Sequence, residues 1–417
     1  MKRKLGLFEV TVSGIGIILG AGIYALLGEA APLAGNALWL SFVISSVVAA
    51  FTALSYGELS SMFPSSAAEY EYVKNAIGKR VGFVIGWLII FSAIISSSTV
   101  AIGFGNYLGV IFNIPSIISA IALIALLSLV LFIGIRESAW VAIIFTAIEA
   151  IGLLIIFFIG VPYYGSVNYL EMPLGLNGVF AAAALMFFAY LGFEEIVKLS
   201  EETHEPDRNI PKAIILAMII STALYIVVSF SSVSILGWEA LANTQAPFSQ
   251  LAFSVLGPNG SFLLTVIALF ATSNTVLLLL LAGSRIVYGM AEFHSLPSVL
   301  ERVHPQTRTP WIAIVVVGLA AVVFLFLGNL EFLASATNYT LFLSFIFINA
   351  SVLILRYKSP ELKRVFRIPL NIKNMPVTSV IGLITCIILL LQLNFDAIAL
   401  GIALTVVGII LAFISRG

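Results

Sequence analysis

Twelve mostly apolar stretches, separated by turn-forming or charged segments, constrain this chain more than any other feature. They lie near 8–30, 36–62, 81–110, 115–134, 138–161, 177–199, 210–236, 259–290, 310–328, 332–356, 377–394 and 396–415. A helix needs about 20 apolar residues to cross about 30 Å of hydrocarbon, and each stretch is near that length. Of the 417 residues 61% are hydrophobic and only 10% charged, which excludes an ordinary water-soluble domain. The solvent is lipid. The fold class that follows is all-α integral membrane, with twelve transmembrane helices in a single transmembrane domain covering 1–417.

Charge placement orients the spans. The 20 Lys and Arg balance 20 Asp and Glu, so the total is uninformative and position matters. If loops alternate between inside and outside, every Lys and Arg falls on one side. That side holds Lys2, Arg3 and Lys4, then Lys74, Lys79 and Arg80, and continues through Arg136, Lys198, Arg208 and Lys212 to the 356–373 segment and Arg416. This is the positive-inside pattern, and it places both termini in the cytoplasm with an even number of spans. The apolar run after the Lys-rich start contains four glycines and continues to Leu27 without a cleavage site, so it reads as the first span. The single cysteine, Cys386, excludes a disulfide within the chain. The three histidines, His204, His294 and His304, fall in or near cytoplasmic segments without metal-ligand spacing. No cofactor or metal is expected.

Two spans depart from uniform apolarity. The first carries Gly14, Gly16, Gly20 and Gly22, and the sixth carries Ala189-Tyr190-Leu191-Gly192 followed by Glu194 and Glu195. Each glycine weakens a helix by about 1 kcal/mol relative to alanine, so these are the cheapest places to unwind. Gly16-x-x-x-Gly20 alone would equally serve close helix packing. Its partner five spans later tips the balance, because paired interruptions in two halves mark inverted-repeat transporters with a midplane site. The expected layout is a five-plus-five inverted repeat, repeat one about 8–161 and repeat two about 177–356, with helices 11 and 12 appended at about 377–415.

At these residues the chain resembles the amino acid-polyamine-organocation transporter superfamily. The resemblance rests on GIGIILGAGIY (14–24), YGELSSMFPSSAAEYEYVKNAIG (56–78), FFAYLGFEEIVKLSEETHEPDRNIPKAI (187–214), SRIVYGMAEFHSLPSVLERVHPQTRTPWIAI (284–314) and RYKSPELKRVFRIPL (356–370). The chain departs from the family where Ala67-Ala68 replaces a usual glycine pair and Glu292-Phe293 replaces a usual Arg-Asp. The resemblance implies a leucine-transporter-type fold and secondary active transport of amino acids across the cytoplasmic membrane, with no enzymatic activity.

An amino acid zwitterion must exchange water for protein partners at both charged ends. Unwound helix ends supply these without charged side chains. N–H groups near Gly20, Ala21 and Gly22, at a positive helix end, suit the carboxylate. Carbonyls of Ile17 and Ile18, with Phe188, Ala189 and Leu191 carried over from the family's sixth helix, suit the ammonium. Phe188, Phe193, Ser96, Ser97 and Asn274 are candidates for the side-chain pocket, although helix packing alone also explains each.

Glu149 lies in the middle of the fifth span, where an ionised carboxylate costs roughly 2.5 to 3.5 kcal/mol on insertion scales. In the family this helix faces the region beside helices 1 and 8 that couples transport to an ion. Glu149 is therefore the expected coupling residue, carrying a proton or holding sodium, with low dielectric favouring the proton. A neutral, purely structural Glu149 is the competing reading. Glu194 and Lys198 stand four apart, a spacing that allows an intrahelical ion pair, and at least one of Glu194 and Glu195 is expected to be structural. Glu58 is expected at the cytoplasmic interface. An apolar site favours neutral amino acids with proton coupling. A polyamine or cationic amino acid carrier, using Glu194 or Glu195, is the alternative, as is an amino acid exchanger.

Overall fold

The computed structural model describes residues 5–63, 68–134 and 139–414, with the backbone alone for 139–143, 198, 200 and 201. Lys2, Arg3, Lys4, Ala67, Arg136 and Arg416 lie outside the described residues, as does the side chain of Lys198. Helices account for nearly the whole chain: α1 (Leu7–Ile18), α2 (Gly22–Ala34), α3 (Leu38–Met62), α4 (Ala68–Ala76), α5 (Lys79–Phe112), α6 (Ser116–Ile133) and α7 (Ala139–Gly160). They continue as α8 (Gly175–Met186), α9 (Pro206–Ala242), α10 (Pro247–Glu292), α11 (Trp311–Phe324), α12 (Leu330–Lys358), α13 (Val377–Leu390) and α14 (Phe395–Ile414). The described residues contain one small hairpin, β1 (Asn371–Ile372) paired antiparallel with β2 (Met375–Pro376).

All twelve apolar stretches are helical over most of their length. Nine helical segments among the described residues are long and apolar enough to cross a bilayer, and α1, α11 and α13 are shorter apolar helices. Large apolar side chains such as Leu126, Phe158, Phe262 and Phe413 are exposed on these helices. Meanwhile Ser96, Ser97, Ser232 and Thr272 are buried, each hydroxyl donating to a carbonyl four residues back. That inversion suits a protein whose outer surface meets lipid. α9 and α10 overrun the apolar stretches and bend at Gly237 (φ 73°) and Gly257 (φ 72°), close to where those stretches end and begin.

One charged side chain, Glu58, is fully buried within the protein. Its carboxylate accepts from Arg356 Nε (2.9 Å) and Nη2 (2.5 Å), from the backbone N–H of Ile368 (2.9 Å), and lies 3.3 Å from Arg364 Nε. These partners come from the last turn of α12 and the chain just after it, so the position of Glu58 along α3 could not reveal them.

Candidate substrate and coupling site

The first span is broken where its glycines predict. α1 ends at Ile18 and α2 starts at Gly22, leaving Leu19, Gly20 and Ala21 between them. The Ala21 N–H, one of three expected to meet a carboxylate, donates to Thr275 Oγ1 at 3.0 Å. Thr275 in turn donates to the Ala271 carbonyl of its own helix. The Ile18 carbonyl accepts from the Tyr225 hydroxyl at 2.5 Å.

The sixth span breaks differently. α8 tightens into a 3₁₀ turn over Phe187–Tyr190, Leu191 is extended, and Gly192 takes φ 110°, a conformation that needs glycine. A second 3₁₀ stretch, Phe193–Glu201, follows. Asn338 of α12 donates to the Ala184 and Leu185 carbonyls at 2.7 and 3.0 Å, supplying a donor at the end of α8. The Gly192 N–H donates to Glu194 Oε2 at 3.0 Å, which gives Glu194 the structural role expected of one of the pair. The expected pairing of Glu194 with Lys198 falls on the side chain of Lys198, which lies outside the described residues.

The two breaks face each other. A Cβ on Gly22 would lie 2.6 Å from the Ala189 Cα, and one on Gly192 would lie 3.0 Å from the Ile17 carbonyl oxygen. Gly22 is therefore already in contact with the other broken helix, and a valine there would wedge the two apart rather than only obstruct a ligand. Tyr225 of α9 joins them: its hydroxyl reaches the Ile18 carbonyl and, at 2.8 Å, the Ala189 carbonyl. Ile18, Gly20, Ala21, Gly22, Phe188 and Ala189 are buried, and Ile17 and Leu191 are partly exposed. The Phe188 carbonyl accepts from the Leu191 N–H at 3.2 Å. The structure thus brings all eight candidate residues to one junction.

The side-chain candidates divide. Phe193 packs edge-on against Tyr56 and at a tilt against Phe345, at ring separations of 5.7 and 5.4 Å. Ser96 and Ser97 bond within α5, and Asn274 turns to Glu149. Glu149 is 1% exposed. Its Oε1 accepts from Asn274 Nδ2 at 3.1 Å, and among the described residues its buried Oε2 has no hydrogen-bond partner. The Glu149 carbonyl accepts from Tyr24 of α2 at 2.9 Å, and Gly16 of α1 packs against Thr146 one turn away. Glu149 therefore sits where both halves of the first span meet α7 and α10. Adjacent α10 residues link it to the break, Asn274 holding the carboxyl and Thr275 holding the Ala21 N–H. Tyr225, Thr275 and Asn338 went unremarked in the sequence. A hydroxyl or amide inside an apolar run is the one signal each offered.

A membrane-embedded bundle with two facing broken helices defines a class, the multi-pass all-α membrane transporters. The sequence pattern of the amino acid permease family matches residues 5–414, and the chain belongs to that family. It is a transporter rather than an enzyme. It is 31% identical to the branched-chain amino acid permease of Bacillus subtilis over 99% of this chain and 93% of that protein. It is equally 31% identical to the methylthioribose transporter of the same organism, over 93% and 87%. Identity to the vacuolar cationic amino acid transporter 4 of Arabidopsis thaliana is 29%, over 87% of this chain and 64% of the relative.

Proposed function

We propose that this protein is a secondary active transporter of neutral amino acids in the cytoplasmic membrane, driven by protons through Glu149. The observation that carries the reading is the buried Glu149 carboxyl, with one amide partner and, among the described residues, one unpartnered oxygen, joined through Asn274 and Thr275 to the break in the first span. Protonation changes the charge of that carboxyl, and the adjacent Thr275 gives the change a short path to the Ala21 N–H. In this reading the chain makes twelve spans in a five-plus-five inverted repeat, with helices α13 and α14 appended and both termini cytoplasmic. The one-sided distribution of Lys and Arg supports the orientation.

Substrate chemistry follows from the two breaks. Tyr225 carries one hydroxyl proton, yet two buried carbonyls, of Ile18 and Ala189, depend on it. An ammonium brings three donors and satisfies both, as the Ile17 and Leu191 carbonyls nearby would also allow. The carboxylate would take the Ala21 N–H from Thr275, with Gly20 and Gly22 beside it. Glu194, one of the two acidic groups, with Glu195, that a cationic substrate would use, accepts from the Gly192 N–H, which supports a neutral substrate. Relatives named for branched-chain and for cationic amino acids make both classes the first to screen.

The test is concentrative uptake in proteoliposomes with a proton gradient or a sodium gradient imposed separately. Uptake driven by the proton gradient and rising as external pH falls is expected, with Glu149→Gln retaining exchange but losing accumulation. Accumulation by a sodium gradient alone would replace the proton with sodium. Full accumulation by Glu149→Gln would leave Glu149 structural.

A further inference from the structure

The 357–375 segment, from the last residues of α12 to just before α13, combines two properties that water alone does not favour. Leu370 is 71% exposed and Ile372 is 62% exposed, with Tyr357, Leu362 and Val365 exposed beside them. Interleaved with these are the exposed cations Lys363, Arg367 and Lys373. Among the described residues none of the three has a carboxylate within ion-pair distance. Glu361 is the one acidic residue in the segment.

The segment is also held rigidly. Arg356, itself paired with Glu58, donates to Asn371 Oδ1, and Asn374 Nδ2 donates back to the Arg356 carbonyl at 2.7 Å. The Ile368 N–H bonds Glu58, and Phe366 packs on Gly57 of α3. Leu370 and Lys373 adopt positive φ, 60° and 56°, which non-glycine residues rarely hold without surrounding support. An anchored hairpin that carries Leu370 and Ile372 outward, beside three cations and next to the ends of two membrane helices, is built to meet a surface.

We propose that this hairpin docks on the membrane surface and takes anionic lipid headgroups, its apolar tip entering the interface and Lys363, Arg367 and Lys373 meeting the phosphates. Each basic residue near an anionic leaflet adds to such attraction, and apolar side chains at the boundary add burial. The Glu58–Arg356 pair keeps the hairpin in register with α3, so the docked lipid sits on the element that ties α3 to α12.

A tryptophan reporter tests this. Ile372→Trp is placed in phosphatidylcholine vesicles containing either brominated phosphatidylglycerol or the same fraction of brominated phosphatidylcholine, with the parent protein as background. Several-fold stronger quenching by the anionic lipid is expected, falling to equality in the Lys363→Gln, Arg367→Gln, Lys373→Gln variant. Should that variant fail to assemble, raised salt on the reporter alone must erase the preference, since exposed charges are screened. Equal quenching by both lipids, no quenching by either, or a preference that survives both charge removal and salt would overturn the proposal. Displacement of the lipid by soluble glycerol phosphate would instead mark a free-anion site.

Discussion

Glu58 and Glu149 are the same residue type, both buried within helices, at 0% and 1% exposure, yet their surroundings are opposite. Glu58 is met by two guanidinium groups and a backbone N–H. Glu149 is met by one neutral amide and keeps an oxygen without a partner among the described residues. Burial alone does not distinguish the two carboxylates. Compensation does: a fully paired charge is costly to disturb, whereas the coupling role proposed for Glu149 calls for a carboxyl without a fixed countercharge.

The largest effect expected from this contrast is at Arg356. Arg356→Gln removes the two-point partner of buried Glu58 and leaves it Arg364 at 3.3 Å and the Ile368 N–H, a change expected to cost up to about 3–5 kcal/mol. Thermal unfolding in detergent should show a large loss, with reduced yield of folded protein. Adding Glu58→Gln to that variant removes the stranded charge and should recover much of the stability. If the single variant unfolds like the parent, the pair is not a lock and the comparison breaks. Glu149→Gln is the counterpart and a smaller perturbation, since the amide keeps the shape and leaves no opposite charge stranded. Its unfolding should stay within about 1 kcal/mol of the parent, the ordinary scale of point mutations, even as accumulation fails. A loss as large as that at Arg356 would show that Glu149 has charge partners outside the described residues.

The sequence made the first of these carboxylates harder to read than the second. Glu149 stands alone in an apolar run, and its cost in lipid marks it at once. Glu58 stands near a span end, and its partner Arg356 is 298 residues away, so position along the helix suggested an interface. The same division holds at the site. Gly20, Gly22 and Gly192 announced both breaks because glycine is where a helix is cheapest to open. Their stitching by Tyr225 was not legible, since one tyrosine in STALYIVVSF looks like packing until α9 is placed between the broken helices. The overlong α9 and α10 escaped notice because hydropathy follows the lipid boundary, while the helical backbone continues beyond it.

The finest distinction lies in the single bond between Asn274 and Glu149. A hydrogen bond between neutral groups contributes about 0.5–1.5 kcal/mol, and one to a charged group about 1.5–3 kcal/mol. Asn274→Ala and Glu149→Gln, alone and combined, form a double-mutant cycle whose coupling energy reads the state of the carboxyl. Glutamine can still accept from Asn274, so the cycle reports what the carboxyl adds over an amide. If Glu149 exchanges its proton during transport, the coupling must grow as pH rises, because losing the proton turns a neutral bond into a charge-assisted one. The expected result is a coupling near zero in acid that climbs by about 1 kcal/mol in alkali. At a single pH the matching cycle at Glu58 and Arg356 should be the larger of the two, since it joins two opposite buried charges. A flat cycle at Glu149 would mean that its carboxyl keeps one state throughout, and would remove the physical basis for proton coupling there.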